Sequence, residues 1–317
     1  MAKQQSLGEE EQFQVRTAWL YHMEGLTQGQ IAKHLNVTRL KVNRALQDAR
    51  KNGIIRIQIN SPYSPCAQLE AAFKERFKLS DVSIVPTVSD DSKIPMIVGS
   101  QLGLHLSKLL QNPEIKVFGI AWGSALRYAT QALVPCDRPD LEVVCTMGGL
   151  PHGANVNGFE ITTRFAEHFS AKRTYFTAPL YANTKDSRNT IMVQGVFQEI
   201  LRMIHRADAT ATSVGDMSNS IIIRYGLPEN VTRQSLLDAG AVGELMGFFL
   251  DEDGNLIDHP INDCIVGITP VDLKKMPNAI LAAGGQTKVP IISAVLKMGI
   301  FNTFVTDQRT AESVLKH

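Results

Sequence analysis

The chain has 317 residues, of which 44% are hydrophobic, and a formal net charge of +1 at pH 7. This length is enough for two domains, and no apolar run approaches the roughly 18–20 residues that a membrane-spanning helix needs. Because the stretch MAKQQSLGEEEQ lacks the apolar core of a secretory signal, these properties exclude the membrane classes and predict a cytoplasmic protein.

The charge is unevenly distributed along the chain. Residues 1–60 contain 9 Lys and Arg against 5 Asp and Glu, a net charge of +4, whereas the remainder carries 23 against 26, a net charge of −3. A basic first segment on a mildly acidic body is typical of proteins in which one part meets phosphate groups. The 4 cysteines show no metal-ligand spacing, so we expect reduced thiols and neither a bound metal nor a cofactor.

Residues 27–59 have the pattern of a winged helix-turn-helix. Thr27 and Gln30 have the spacing of a capping box, which begins a helix. Asn36 tolerates the left-handed backbone of a tight turn, and Thr38 can cap a second helix. The segment therefore predicts two short helices joined by a turn.

The second of these helices has an apolar face, and the segments before and after it fit a winged helix-turn-helix. Gly53 is expected to end the helix, and residues 54–59 read as a strand, the wing. The apolar residues at helical spacing in the second helix are Val42, Ala45, Leu46 and Ala49. A preceding helix over residues 12–23 is expected to pack through Val15, Ala18, Trp19 and Met23.

The outward side chains of this unit can hydrogen-bond phosphates and base edges. A small helical subdomain with a solvated basic face is the alternative, but the turn, the caps and the polar face coincide, which favours double-stranded DNA as the partner. The residues predicted to contact DNA are Thr27, Gln28, Thr38, Arg39, Lys41, Asn43, Arg44 and Gln47.

A stretch with two prolines, NSPYSP, separates this unit from the rest of the chain. The predicted organisation is a DNA-binding domain over residues 1–60, a linker over 61–66 and a larger domain over 67–317. In the larger domain, short apolar runs alternate with helical stretches, which predicts a Rossmann-like, doubly wound α/β fold. The strand candidates are 82–85, 116–120, 142–146, 209–214, 279–283 and 303–306. The helix candidates are 94–110, 124–133, 158–170, 188–204, 289–297 and 308–316.

Glycine clusters follow four of the predicted strands. Glycine lets the backbone approach a ligand, and in such sheets ligands bind at the carboxyl ends of the strands. A tight turn explains any one cluster equally well, and none matches GxGxxG or the phosphate loop. Together they predict a ligand site near Gly123, Gly148, Gly215 and Gly284.

Four ordered motifs resemble the SorC family of bacterial sugar-responsive transcription regulators over nearly the whole chain. The motifs are EGLTQGQIAKHLNVTRLKVNRAL, GIAWGSAL, DAGAVGELMGFFLDEDG and ILAAGGQTKVPIISAVLKMGIFNTFVTDQRTAESVL. The resemblance implies a homotetramer that binds operator DNA, with a body domain similar to sugar-phosphate isomerases that binds a sugar, polyol or sugar-phosphate effector.

The resemblance also implies roles for individual residues. Lys288 stands at the position of a ligand-binding lysine, Glu244 at an acidic position, and Asp307 at a family position without a clear role. Outside that context, Glu244 and Lys288 would be taken as surface charges. The candidate effector-binding residues are Trp122, Gly123, Ser124, Gly148, Gly149, Leu150, Glu244, Asp251, Gly284, Gly285 and Lys288.

The chain also departs from the family pattern. Many relatives carry a second hydroxyl where this chain has Ala125, and Ser or Thr where it has Leu150, so it offers fewer neutral donors to a phosphate. The MGGL and LYANTKDSR segments look more like the erythritol- and polyol-responsive subgroup.

The sequence therefore leaves three hypotheses for the function. The leading hypothesis is a regulator of a carbohydrate or polyol catabolism operon, without enzyme activity. A sugar-phosphate isomerase-like enzyme with an appended DNA-binding head would need an acid and a base over a substrate, with Glu244 and Asp251 as candidates. An assembly protein whose body only oligomerises would leave the glycine loops unexplained.

Overall fold

The computed structural model describes residues 2–55, 64–150 and 157–317. The chain divides into two compact units, Met1–Ser61 and Pro62–His317. The described helices of the first unit are α1 (Ala2–His22), α2 (Gln28–His34) and α3 (Arg39–Lys51).

The helix-turn-helix forms as its local signals predict. The Thr27 hydroxyl accepts the Gln30 N–H at 3.3 Å, and the Gln30 side-chain carbonyl accepts the Thr27 N–H at 2.9 Å, which completes the capping box of α2. Asn36 adopts a φ of +52° in the turn. The Thr38 hydroxyl accepts the Lys41 N–H at 3.2 Å at the start of α3. These contacts satisfy helix N–H groups that would otherwise lack partners.

The predicted inward face of α3 is buried, whereas the predicted packing face of α1 is confirmed only at Ala18. Val15, Trp19 and Met23 are 48%, 58% and 66% exposed. Helix α1 instead turns Gln14 and Thr17 inward, together with Ala18 and Leu20. The spacing of apolar residues did not predict this face, because polar side chains also take part in the packing of α1. The Asn52 amide, just beyond α3, donates to the Gln14 side-chain carbonyl at 3.2 Å.

Helix α3 ends as predicted, with Gly53 at a φ of +72°. Ile54 and Ile55 pack against the core of the first unit. Residues 56–63 lie outside the described part of the chain, so the wing over 54–59 stays a prediction.

The second unit is built on a parallel sheet, as the sequence predicts. The strands of this sheet are β1 (Asp81–Val85), β2 (Val117–Ile120), β3 (Glu142–Cys145), β4 (Lys172–Thr174), β5 (Ala209–Thr212), β9 (Ala279–Ala282) and β10 (Thr303–Asp307). They run in the order β1-β10-β9-β5-β2-β3-β4, and every described pairing is parallel.

Helices cover the sheet, and no helix among the described residues is long and apolar enough to span a membrane. The α-helices of this unit are α4 (Ser64–Phe77), α5 (Ile94–Leu110), α6 (Ser124–Ala129), α7 (Gly158–His168), α8 (Lys185–Met192), α9 (Gly195–Ile204), α10 (Ile221–Tyr225), α11 (Arg233–Asp238), α12 (Pro270–Leu273), α13 (Val289–Lys297) and α14 (Gln308–Lys316). Short 3-10 turns cover Asp91–Lys93, Pro260–Asp263 and Gln286–Lys288.

Two sequence boundaries need correction. The predicted linker over 61–66 is too long, because α4 already includes Pro65, a residue that the first turn of a helix accepts without losing a hydrogen bond. The single helix predicted over 188–204 is two helices, since Gln194 takes an extended backbone, with ψ of 136°, and caps α9.

A small antiparallel sheet was not predicted. It contains β6 (Val214–Asp216), β7 (Gly243–Leu245) and β8 (Phe248–Leu250). Met246 and Gly247 join the last two strands with φ values of +53° and +89°, the backbone of a two-residue type I′ turn. The register pairs Gly215 with Glu244 and so brings the acidic residue beside the end of β5.

The strand order fixes where a crevice opens. From β2 the chain proceeds to β3 and β4 on one side, and then returns to β5 on the other side of β2. In open α/β sheets the carboxyl ends of strands at such a reversal leave a crevice, and ligands bind there. This point lies between β2 and β5.

Candidate functional site

A cavity of about 480 Å³ opens at the reversal between β2 and β5. Its walls come from the loop after β2, the segment from β5 into β6, the β7 hairpin and the turn after β9. Seven of the predicted effector residues line it: Trp122, Gly123, Ser124, Glu244, Gly284, Gly285 and Lys288. The size is in the usual range for small-molecule sites, about 300–1,000 Å³.

The loop after β3 does not contribute the residues expected of it. Gly148, Gly149 and Leu150 are not part of the cavity wall, which takes Met147 from this loop. The Gly148 N–H donates to the Val266 carbonyl and the Gly149 N–H to the Ala178 carbonyl, both at 2.9 Å. These two amides are therefore engaged by the protein's own backbone and cannot serve a ligand without breaking those bonds.

Asp251 also lies outside the cavity wall. Its carboxylate accepts the N–H groups of Asp253 at 3.0 Å and Asn255 at 2.8 Å, which makes it the organiser of a polar turn after β8. Burial works to raise the pKa of Asp251, but these hydrogen bonds outweigh it and the pKa is lowered.

Glu244 and Lys288 both line the cavity, and the charge of each affects the pKa of the other. Glu244 is 9% exposed and accepts the Gly247 N–H at 2.9 Å, while the Lys288 ammonium donates to the Val214 carbonyl at 2.7 Å. Burial raises the pKa of Glu244 to about 7. Burial lowers the pKa of Lys288, and the nearby carboxylates only partly oppose this.

Asp216 is a site residue that the sequence did not single out. It is 5% exposed, and it accepts the N–H groups of Ser218 at 2.8 Å and Asn219 at 2.7 Å and the Thr287 hydroxyl at 3.1 Å. Burial works to raise the pKa of Asp216, but the hydrogen bonds prevail and it is lowered. The signal available was the Gly215-Asp216 pair after a predicted strand.

Hydroxyl groups make up much of the remaining cavity wall. They come from several segments of the chain, and Ser124 and Thr287 lie within the family motifs. The hydroxyl-bearing side chains are Ser92, Ser124, Thr212, Ser213, Ser218, Ser220 and Thr287. Carboxylate acceptors, an ammonium donor and many hydroxyls can together hold a polyhydroxylated molecule.

Asp307, at the family position without a clear role, is a helix cap. It is fully buried and accepts the Thr310 N–H at 3.1 Å and the Thr87 hydroxyl at 2.8 Å at the start of α14. Its contacts hold the carboxyl end of β10 to α14.

The predicted DNA-contacting residues fall into two groups. The exposed side chains on the outer side of α3 are Arg39, Asn43, Arg44 and Gln47. Thr27 and Thr38 use their hydroxyls in the helix caps, and Gln28 is half-buried. The Lys41 ammonium lies 5.0 Å from the centre of the Phe13 ring, a cation–π contact toward α1.

Comparison with known proteins identifies the class. Residues 61–316 match the Sugar-bind family model, described as "Putative sugar-binding domain". The Transcriptional regulator LsrR of Escherichia coli O139:H28 is 31% identical over 321 residues, which covers 99% of this chain and 97% of that protein. The chain is thus a sugar-responsive, DNA-binding transcription regulator.

Similarity to solved structures indicates the family of regulators to which the chain belongs. The full-length sorbitol operon regulator SorC from Klebsiella pneumoniae superposes with a TM-score of 0.72 at 25% identity and covers 97% of this chain and 99% of that one. A domain of a possible sugar-binding transcriptional regulator from Arthrobacter aurescens TC1 shares the fold, with a TM-score of 0.72 at 19% identity over 81% of this chain and all of that one. The chain belongs to the SorC family of sugar-binding transcription regulators.

Proposed function

We propose that this chain regulates a carbohydrate or polyol catabolism operon, binding operator DNA through the outer face of α3 and a small effector in the cavity between β2 and β5. The observation that carries the proposal is the cavity itself, with Asp216, Glu244 and Lys288 at the reversal of a sugar-binding domain. A matched regulator is named for the sorbitol operon, which supports a polyol among the candidate effectors.

The charges of the cavity favour a neutral effector over a phosphorylated one. Among the described residues of its wall, the carboxylates of Asp91 and Asp216 equal the cations of Arg224 and Lys288 in number, and Glu244, whose pKa is raised to about 7, adds a partial negative charge at neutral pH. The Lys288 ammonium already donates to a backbone carbonyl. A phosphate dianion would meet a wall with more negative than positive groups, whereas hydroxyls can donate to the carboxylates.

The effector would act by shifting a population of states. Operator binding changes only if the effector binds one arrangement of the oligomer more tightly than another. We propose a homotetramer in which the effector alters the spacing of the DNA-binding units.

The first experiment is a thermal-shift panel of sugars, polyols and their phosphates on the full chain. A ligand at 100 times its dissociation constant should stabilise the protein by about 2.7 kcal/mol. We expect the shifts to come from a neutral polyol or sugar. If no compound changes the melting temperature, the second unit does not bind such an effector. The remaining hypothesis would then be a protein whose second unit only oligomerises.

The second experiment places the effector. Operator binding of Lys288→Ala and Glu244→Ala should persist while the response to the identified effector is lost, because these residues line the cavity and are far in sequence from α3. Lys316→Ala and Glu252→Ala, at exposed positions, are the matched controls and should respond like the parent. A normal response in both cavity variants would refute this placement.

One observation favours the enzyme alternative enough to test it. A carboxyl group with a pKa of about 7 in a cavity suits a general base. We propose that the cavity binds its ligand without converting it, so each hit should be recovered unchanged by NMR after incubation. Turnover that disappears in Glu244→Gln would instead establish an isomerase-like enzyme.

A further inference from the structure

Leu40 is a large apolar side chain exposed within a polar helix face. It is the second residue of α3 and is 76% exposed. The other apolar residues of α3 are buried, at 7% exposure or less: Val42, Ala45, Leu46 and Ala49. A single exposed leucine is common on protein surfaces, so its meaning depends on the residues that share its face.

Leu40 shares its face with the residues proposed to meet DNA. On a helix, residues three, four and seven positions apart lie side by side. Asn43, Arg44 and Gln47 stand at these distances from Leu40, and all are exposed. Arg39 and Lys41 flank it in sequence, so groups that suit phosphates and base edges neighbour the apolar side chain on this face. Toward α1, Leu40 lines a hollow that also contains Glu9, Glu10 and Phe13.

We propose that Leu40 reads the 5-methyl group of a thymine in the major groove of the operator. The inference rests on the proposed operator binding by α3. The N-terminal residues of a recognition helix approach base edges, and the thymine methyl is the apolar feature that the major groove presents there. The flanking cations are complementary to the phosphate backbone, which makes DNA the occupant that the charge of this face favours.

The test removes only the methyl group. A duplex is selected from a random-sequence pool by the full-length parent protein, and each thymine is replaced in turn by deoxyuridine. At one thymine per contacting helix, the replacement should weaken binding of the parent by about fourfold, the ratio expected for one buried methyl group. Fluorescence anisotropy measures the dissociation constants.

Two variants connect the effect to Leu40. Leu40→Ala should bind the thymine duplex more weakly and become indifferent to the deoxyuridine replacement. Arg44→Ala, the matched control on the same face, should also bind more weakly but keep its sensitivity to the methyl group. Because Leu40 is exposed, the alanine variant should keep the thermal stability of the parent, which a melting curve checks.

Three results would overturn the proposal. If Leu40→Ala keeps the methyl sensitivity, or if no thymine shows any, Leu40 does not read thymine, although operator binding by α3 still stands. If Leu40→Ala changes only the oligomeric state in sedimentation, the leucine contacts a second copy of the chain. If the parent selects no sequence at all, the proposed operator binding fails together with this inference.

Discussion

The carboxyl group of Glu244 occupies a position where ionisation is costly. It lies 9% exposed beside Gly215, and the one described hydrogen bond to it comes from the Gly247 N–H. The nearby Lys288 partly offsets this cost, although burial lowers the pKa of Lys288 itself. An effector hydroxyl that donates to Glu244 would therefore stabilise the ionised form and couple effector binding to proton release.

This burial predicts how stability depends on pH. The pKa of Glu244 is raised from 4.5 to about 7 in the folded protein, so between these values the folded state binds more protons than the unfolded state. The free energy of unfolding should then fall as the pH rises through this window, by at most about 3 kcal/mol. The Gln side chain of Glu244→Gln is neutral at every pH. The free energy of unfolding of this variant, relative to that of the parent, should therefore be higher at pH 8 than at pH 5. Chemical denaturation at each pH measures it, and a difference that stays constant with pH would contradict the assignment.

Arg44 is one of the two exposed arginines on the face of α3 that is predicted to contact DNA. Arg44→Ala should weaken operator binding by about 1–3 kcal/mol and relax preference at one base pair if the side chain reads a base. If it contacts a phosphate, affinity should fall on all sequences and the salt dependence should decrease by about one ion. Arg206→Ala, an exposed arginine of the second unit, controls for the lost charge. Parent-like affinity in both Arg39→Ala and Arg44→Ala would show that this face does not bind DNA.

At the scale of secondary structure, long apolar signals were predictable and short ones were not. Helices α5, α13 and α14 begin and end where the sequence patterns predict, because each is a segment with apolar residues at helical spacing between turn residues. Strand β4 was missed because it is a polar edge of three residues, Lys172–Thr174, with no apolar run to mark it. The strand predicted over 209–214 covers β5 and only the first residue of β6, Val214, so most of β6 was missed.

The candidate site was predictable only where local sequence and topology agree. The glycines at 123, 284 and 285 follow strands whose ends reach the cavity, so reasoning from strand ends places them well. The Gly148-Gly149 pair follows a strand too, but its amides pair with backbone from 178 and 266. Such long-range pairing leaves no mark in the local sequence. The place of Asp216 in the cavity likewise depends on the pairing of β6 with β7, which the sequence did not predict.

The β7–β8 turn allows a matched test of this geometry. Gly247 and Gly240 share a φ of +89°, but a Cβ at Gly247 would lie 3.3 Å from the side chains of Leu180 and Tyr181, whereas at Gly240 it meets nothing within 4 Å. Gly240→Ala should lose about 1–2 kcal/mol from the left-handed backbone alone. Gly247→Ala should lose more and weaken effector binding, because relief of the added contact would shift the backbone N–H that Glu244 accepts. Chemical denaturation measures the stability of the two variants, and titration with the effector measures their affinity. Equal losses of stability with unchanged effector affinity would show that the turn does not position Glu244.

At the scale of the whole molecule, the charge of one DNA-binding unit limits its affinity. Residues 1–60 carry a net charge of +4, and phosphate neutralisation supplies much of the affinity for DNA at physiological salt. Linking several such units raises the affinity by about 10²–10⁴-fold without any new contact, provided that the sites are spaced to be bound together. The modest charge therefore favours an oligomer on an extended operator.

We predict that the full chain is a tetramer, or a dimer of dimers, at the concentrations where it binds DNA. A duplex with two half-sites separated by a multiple of about 10.5 base pairs should bind at least about 100-fold more tightly than a duplex with one, because both units then bind on the same face of the helix. Shifting the spacing by half a turn, the matched control, should remove most of that gain. Sedimentation velocity gives the mass, and anisotropy gives the affinities. A monomer that binds a single half-site as tightly as the paired one would refute the oligomeric regulator and leave α3 as a self-sufficient DNA-binding element.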